Sequence, residues 1–223
     1  MEKVIIISAH PDDEILGAGG TLLKHLENGD QLAWIIVTNI SEKRGYSKGR
    51  VDTRENEIKM VTSMVGFSKV YKLEYPTMEL DSSSVNEMIP RISSIFNDFQ
   101  PSVVYVMNRS DAHSDHRYTF EAVISCTKSF RYPFIKKVLM YECISETEFA
   151  PALSERVFIP NYFVDISDYF SKKLEIMQVY ESEMGVHPFP RSNRNIEALA
   201  IYRGASVGVN YAESFQLIKF IDK

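Results

Sequence analysis

The sequence predicts an α/β fold: a mainly parallel sheet in strand order 3-2-1-4-5, helices on both faces and a C-terminal extension. Three observations carry this prediction. Short apolar runs alternate with segments of helical length along most of the chain, the pattern of a parallel sheet wrapped by crossover helices. Two of those runs, Val4-Ile5-Ile6-Ile7 and Ser102-Val103-Val104-Tyr105-Val106-Met107, read as buried strands. Each is followed by a polar cluster, Ala9-His10-Pro11-Asp12-Asp13-Glu14 and Asp111-Ala112-His113-Ser114-Asp115-His116-Arg117. With right-handed crossovers those two strands are neighbours. Both clusters then lie at the carboxyl ends of adjacent strands, where open α/β sheets bind ligands.

Taken in order, residues 3–8 form the first strand, and the next helix runs to about residue 28, where Gly29 stops it. Gly17, Gly19 and Gly20 weaken that helix, and either let it approach the sheet or leave room for a ligand. Residues 31–38 form strand two. The polar, basic stretch 39–52 reads as a functional loop, since loops of that length need a reason. A helix over 53–65, closed by Gly66, leads to a short strand at 69–73. The next helix is capped by Ser83 or Ser84, bent by Pro90 and stopped at Gln100-Pro101. Strand four covers 102–107, a helix 115–130 and strand five 137–142. A strand at 162–166, a helix from Ser167 or Asp168 to about 182, a shaped loop at 185–191 and a helix at 193–203 complete the extension. No repeat or linker interrupts the chain, which predicts a single domain over 1–223.

With 44% hydrophobic and 25% charged residues, the composition is that of a soluble globular protein. A net charge of −5 argues against general nucleic-acid binding. No apolar run approaches the roughly 18 residues that span a bilayer. The N-terminus enters a strand directly, without a signal peptide, and Cys126 and Cys143 form no C-x-x-C pair. These features predict free thiols in a reducing cytoplasm.

A dinucleotide-binding turn would carry G-x-G-x-x-G after strand one. This turn carries an imidazole and three carboxylates instead, which repel a pyrophosphate and attract a cation. Complementing the helix dipole would explain one or two acids, not three beside a histidine. A catalytic zinc site uses three N and O ligands and keeps a position open. His10 and Asp13, separated by one tight turn, and His116 from the second cluster form such a set. Asp12 is then free to act as general base. His113 faces the same cavity without binding metal, and Asp115 is expected to hold its ring and favour the imidazolium, which would stabilise an oxyanion. Arg44, Lys48 and Arg50 either bind an anionic part of the substrate or belong to a solvated loop. His187, in the shaped loop, either approaches the site or lies on the surface. Arg191 and Arg194 read as surface charges at a helix start or as contacts in a homo-oligomer, and His25 as exposed.

The two clusters together resemble those of the PIG-L/LmbE family of zinc-dependent N-acetylglucosaminyl deacetylases. The resemblance implies a Rossmann-like fold and hydrolysis of an N-acetyl group from an amino-sugar conjugate. It implies Zn2+ held by His10, Asp13 and His116, with Asp12 as base. His113 would polarise the carbonyl or protonate the leaving group. Arg54-Glu55 resembles a family helix segment whose arginine faces substrate. Tyr211-Ala212-Glu213-Ser214-Phe215 resembles a family tail and is read mainly as packing. Rival readings are the same machinery on another amide and, from a different class, a nucleotide-binding or regulatory module; the acidic turn argues against the second.

Overall fold

The structure, a computed structural model, describes residues 1–222. Its sheet contains β1 (Lys3–Ser8), β2 (Gln31–Asn39), β3 (Lys69–Pro76), β4 (Val103–Met107), β5 (Lys137–Tyr141), β6 (Tyr162–Asp165) and β7 (Ala212–Phe220). The helices are α1 (Asp13–Glu27), α2 (Lys48–Val65), α3 (Ser82–Phe99), α4 (Ser114–Ser125), α5 (Phe170–Met177) and α6 (Asn193–Ala205). Strand order is β3-β2-β1-β4-β5-β7-β6, so the expected five-strand order stands and two strands extend it. The first five strands pair in parallel, with Ile5 of β1 beside Ala33 of β2 and Val104 of β4. β7 runs antiparallel between β5 and β6.

The β1 run Val4 to Ile7 is fully buried, and each such side chain contributes about 1.5–3 kcal/mol on leaving water. Trp34 of β2 is buried beside it and donates Nε1–H to Ser8 Oγ at 2.8 Å. Among the described residues no helix is long and apolar enough to cross a membrane.

Several elements differ from expectation for local reasons. The tail read as packing is a nine-residue strand, β7; its apolar pattern is masked by Glu213, a carboxylate that is buried. α2 starts earlier, at Lys48, because Ser47 accepts the Arg50 N–H as an N-cap. The basic loop is correspondingly shorter. Asp81, not Ser83 or Ser84, caps α3, accepting from both of their N–H groups in a capping box. His25 is half-buried rather than exposed, with its ring between Asp30 (2.7 Å) and the Tyr105 hydroxyl (3.0 Å).

The glycines of α1 serve close packing. A Cβ at Gly17 would lie 2.2 Å from the ring of Tyr141, whose hydroxyl donates to the Ile7 carbonyl at 2.8 Å. The ring is therefore anchored and cannot step aside. Gly17→Ala is expected to destabilise the fold by about 1–3 kcal/mol, the range for overpacking. A denaturant midpoint equal to wild type would contradict that packing argument.

Candidate active site

Two strand-to-helix turns build the site. The first leaves β1, and the Ala9 carbonyl is tied to β2 by the backbone N–H (2.9 Å) and hydroxyl (2.8 Å) of Thr38. The chain then turns sharply: Asp12 has φ of 133°, a region that costs a non-glycine residue about 1–3 kcal/mol and collects at functional sites. Asp12 is the N-cap of α1, yet its side chain makes no capping bond. Its carbonyl accepts from Ile15 and Leu16, and its carboxylate is left over at the wall of a cavity. Asp13 folds back, its Oδ2 accepting the His10 N–H at 2.8 Å.

The second turn leaves β4 and enters α4. His116 is completely buried. Its Nδ1 pairs with Asp111 Oδ2 at 2.8 Å, and Asp111 is itself held by Asn108 (2.8 Å) and Thr147 (2.7 Å). That carboxylate fixes the ring proton on Nδ1 and leaves the Nε2 lone pair free. Nε2 has no hydrogen-bond partner and sits 3.3 Å from Asp13 Oδ1. His10 is held similarly, Nε2 to Asp115 Oδ2 at 3.0 Å. His10, Asp13 and His116 each offer a donor atom, all within 4.8 Å of one another. A buried, unpartnered imidazole nitrogen facing a carboxylate and a second imidazole is the environment of a metal cation, and the residues fit one. His10, His113 and Asp115 also converge. Asp115, however, already accepts from His10 and from the Met78 and Leu80 N–H groups, so its lone pairs are engaged.

The electrostatics follow from burial. Burial, with Asp13 and Glu183 nearby, pushes the Asp12 carboxyl well above the usual range. Burial acts the same way on Asp13, but the His116 and His10 rings overcome it and hold that carboxyl below the usual range. Glu14, buried and accepting from the Tyr180 hydroxyl at 2.8 Å, is pushed up to about 8 by burial. Burial and the neighbouring His10 bring His113 down to about 4.

That last result corrects one expectation. Asp115 does not hold the His113 ring: its carboxylate turns to His10, and only its backbone N–H meets His113, donating to Nδ1 at 3.1 Å. With Nδ1 accepting that N–H and burial lowering its proton affinity, this geometry favours a neutral His113 ring with its proton on Nε2 over an imidazolium. The expected substrate arginines change too. Arg44 is not part of the cavity wall and pairs with Glu79 at 2.8 Å, while His187 is exposed and outside the cavity. Arg54 does line the cavity, but it clamps the protein itself: it donates to the Pro11 carbonyl at 2.9 Å and pairs with Glu183 and with Glu57 (3.3 Å).

The cavity has a volume of about 260 Å³, and besides the two turns its wall includes Tyr46, Arg50, Glu146, Glu183 and Arg191. Arg191, expected on the surface, is half-buried and bridges Glu183 (3.2 Å) to Ser145 Oγ (2.7 Å). Glu146 accepts the His113 N–H at 3.0 Å. Of these, Arg50 comes from the basic stretch that the sequence singles out; Tyr46, Glu146, Glu183 and Arg191 carry no motif, and only the fold brings them to the turns. For Asp111 a signal existed, since it opens the second cluster five residues before His116. A larger cavity of about 770 Å³, between residues 142–158 and α6, contains no histidine and no uncommitted carboxylate pair; size does not make it the reactive one.

The PIG-L profile, GlcNAc-PI de-N-acetylase, matches residues 5–127. The diacetylchitobiose deacetylase of Thermococcus kodakarensis is 25% identical over 227 residues, 98% of this chain and 84% of that one. A probable N-acetyl-alpha-D-glucosaminyl L-malate deacetylase 2 of Bacillus anthracis is 26% identical over 188 residues, covering 81% of this chain and 80% of its own. A conserved protein of Thermus thermophilus shares the fold, with a TM-score of 0.78 at 24% identity over 100% of this chain and 97% of that one. Both histidine-bearing turns lie inside the matched stretch, and the chain belongs to the PIG-L family of de-N-acetylases.

Proposed function

We propose that this protein hydrolyses the N-acetyl group of a small GlcNAc-like amino-sugar conjugate, with Zn2+ held by His10, Asp13 and His116. The observation that carries the reading is the convergence of an unpartnered His116 Nε2 and an uncommitted Asp12 carboxylate on one cavity. Two imidazoles and one carboxylate suit zinc, and the oxygen ligand also admits iron or cobalt. When bound, the cation supplies Lewis acidity at the acetyl carbonyl and makes a water more acidic.

The chain's own groups do the rest. Asp12, as general base, takes a proton from the attacking water. His113 donates its Nε2–H to the oxygen that gains charge as the carbonyl carbon becomes tetrahedral. A neutral ring keeps that proton, so Asp12 returns its own to the nitrogen as the C–N bond breaks, leaving acetate and a free amine. Arg54 holds the Pro11 carbonyl and thereby the turn that presents both aspartates. The substrate class rests on the relatives, named for diacetylchitobiose and for a GlcNAc–malate conjugate, and on a cavity with room for about one sugar. We retain the single-domain reading of 1–223. The cytoplasmic setting draws on the two buried, unpaired thiols.

The test is acetate release from N-acetylglucosamine presented free, as diacetylchitobiose, as the malate conjugate, and in nucleotide- and lipid-linked form. Release from at least one, abolished by a chelator and restored by zinc, is expected. A protein that releases acetate from none of them does not have this function.

A further inference from the structure

The tail segment around Glu213 has a use beyond packing. α1 is two helical pieces joined at Ala18, whose φ of −144° and ψ of 15° break the helix. In an unbroken helix the N–H groups of Gly20 and Thr21 would go to the carbonyls of Leu16 and Gly17. At the break Glu213 of β7 takes both, Oε1 from Gly20 at 2.9 Å and Oε2 from Thr21 at 2.7 Å. Lys173 of α5 donates to the Leu16 carbonyl at 2.9 Å and to Glu213 Oε1 at 2.7 Å. Both side chains are buried, at 5% and 4% exposure on the side chain for Lys173 and Glu213. A buried ion pair is poor evidence for stability, because apolar residues of similar volume often serve as well. This pair does what apolar residues cannot: it supplies a donor and two acceptors to a broken helical ladder. On either side of the break Gly17 abuts Tyr141 and Gly20 abuts Ile166, so the helix is clamped to the sheet where it is spliced. The piece before the break carries Asp13, with Asp12 as its cap.

We propose that Lys173 and Glu213 are positioning residues: the pair splices α1 at its break and sets the direction in which the first turn presents Asp13 to the metal and Asp12 to the substrate. This inference rests on the metal-site reading above.

It is tested with Lys173→Met, Glu213→Gln and the double variant. The readouts are zinc affinity against a competing chelator, amide exchange across α1, melting temperature, kcat and KM. Each single variant is expected to weaken zinc binding by about ten-fold or more, because a first turn released at the break no longer holds Asp13 within the sub-ångström tolerance of a ligand position. kcat should fall with KM little changed, and amides of residues 15–21 should lose protection. The double variant leaves no unpaired buried charge, only backbone groups short of a partner, so its melting temperature should recover in part over the single variants while zinc affinity does not. A structural pair would not show that split. If a single variant fails to fold, the double variant decides. Wild-type zinc affinity in the double variant overturns the proposal. If the wild-type protein itself binds no zinc, the metal reading fails, and the splice is judged by exchange: undiminished protection of residues 15–21 in the double variant overturns it.

Discussion

Asp12→Asn is expected to retain one zinc per chain and to lose kcat by about 10²–10⁴-fold, the contribution of a positioned general base. The amide is nearly isosteric and the residue is not among the proposed ligands, so metal content and melting temperature should stay close to wild type. The side chain makes no capping bond, and α1 therefore has little to lose. A variant with near-normal kcat would assign the base elsewhere; Glu146, which lines the same cavity with its carboxyl pushed up by burial, would be next in line. Asp12 must be ionised to act, and burial with the adjacent carboxylates raises its proton affinity. The acidic limb of the pH–rate profile therefore lies above the ordinary carboxylate range, and the Asn variant should lack it.

His116→Ala is expected to lose both metal and activity. Its Nε2 is the one buried nitrogen in the proposed site without a partner, and removing it leaves His10 and Asp13 as an incomplete set. Without metal the ring lies between Asp13 and Asp111, which raise its proton affinity despite burial. The substitution therefore also leaves buried carboxylates unpaired, at a cost of about 3–5 kcal/mol. Zinc should raise the melting temperature of the wild type by mass action and leave that of the variant unchanged. Elemental analysis showing stoichiometric zinc in His116→Ala would remove it from the ligand set, whatever the activity.

The contrast between His116 and His113 shows where reading residues in order stopped being sufficient. Both histidines lie on one turn, and their spacing suggested that the carboxylate between them served His113. The fold gives that carboxylate to His10, 105 residues away in sequence, and gives His116 a different carboxylate, Asp111. The division between ligand and non-ligand survives as a proposal, but the positive charge expected on His113 is lost. The arginines differ from expectation similarly: of the basic stretch Arg50 joins the cavity wall and Arg44 does not, while Arg191, read as surface, does. The ion pairs of Arg54 and Arg191 with Glu183 join α2, the 3₁₀ turn at Glu181–Glu183 and the loop after it, a junction that no local pattern encodes.

The sequence by itself determined the alternation of strands and helices, the β3-β2-β1-β4-β5 order and the two acidic, histidine-bearing turns. Those features depend on short-range causes: apolar runs that must be buried, and a Pro-containing turn in which His10 and Asp13 meet because they are three residues apart. The tertiary structure alone decided which carboxylate holds which imidazole, which arginines reach the cavity, and that Glu213 is built into the break of α1. Each of these is a contact between side chains brought together by packing from distant parts of the chain. Charge and hydrogen-bonding capacity can be read residue by residue, but the partner that satisfies them is set by which surfaces the sheet and its helices bury against one another.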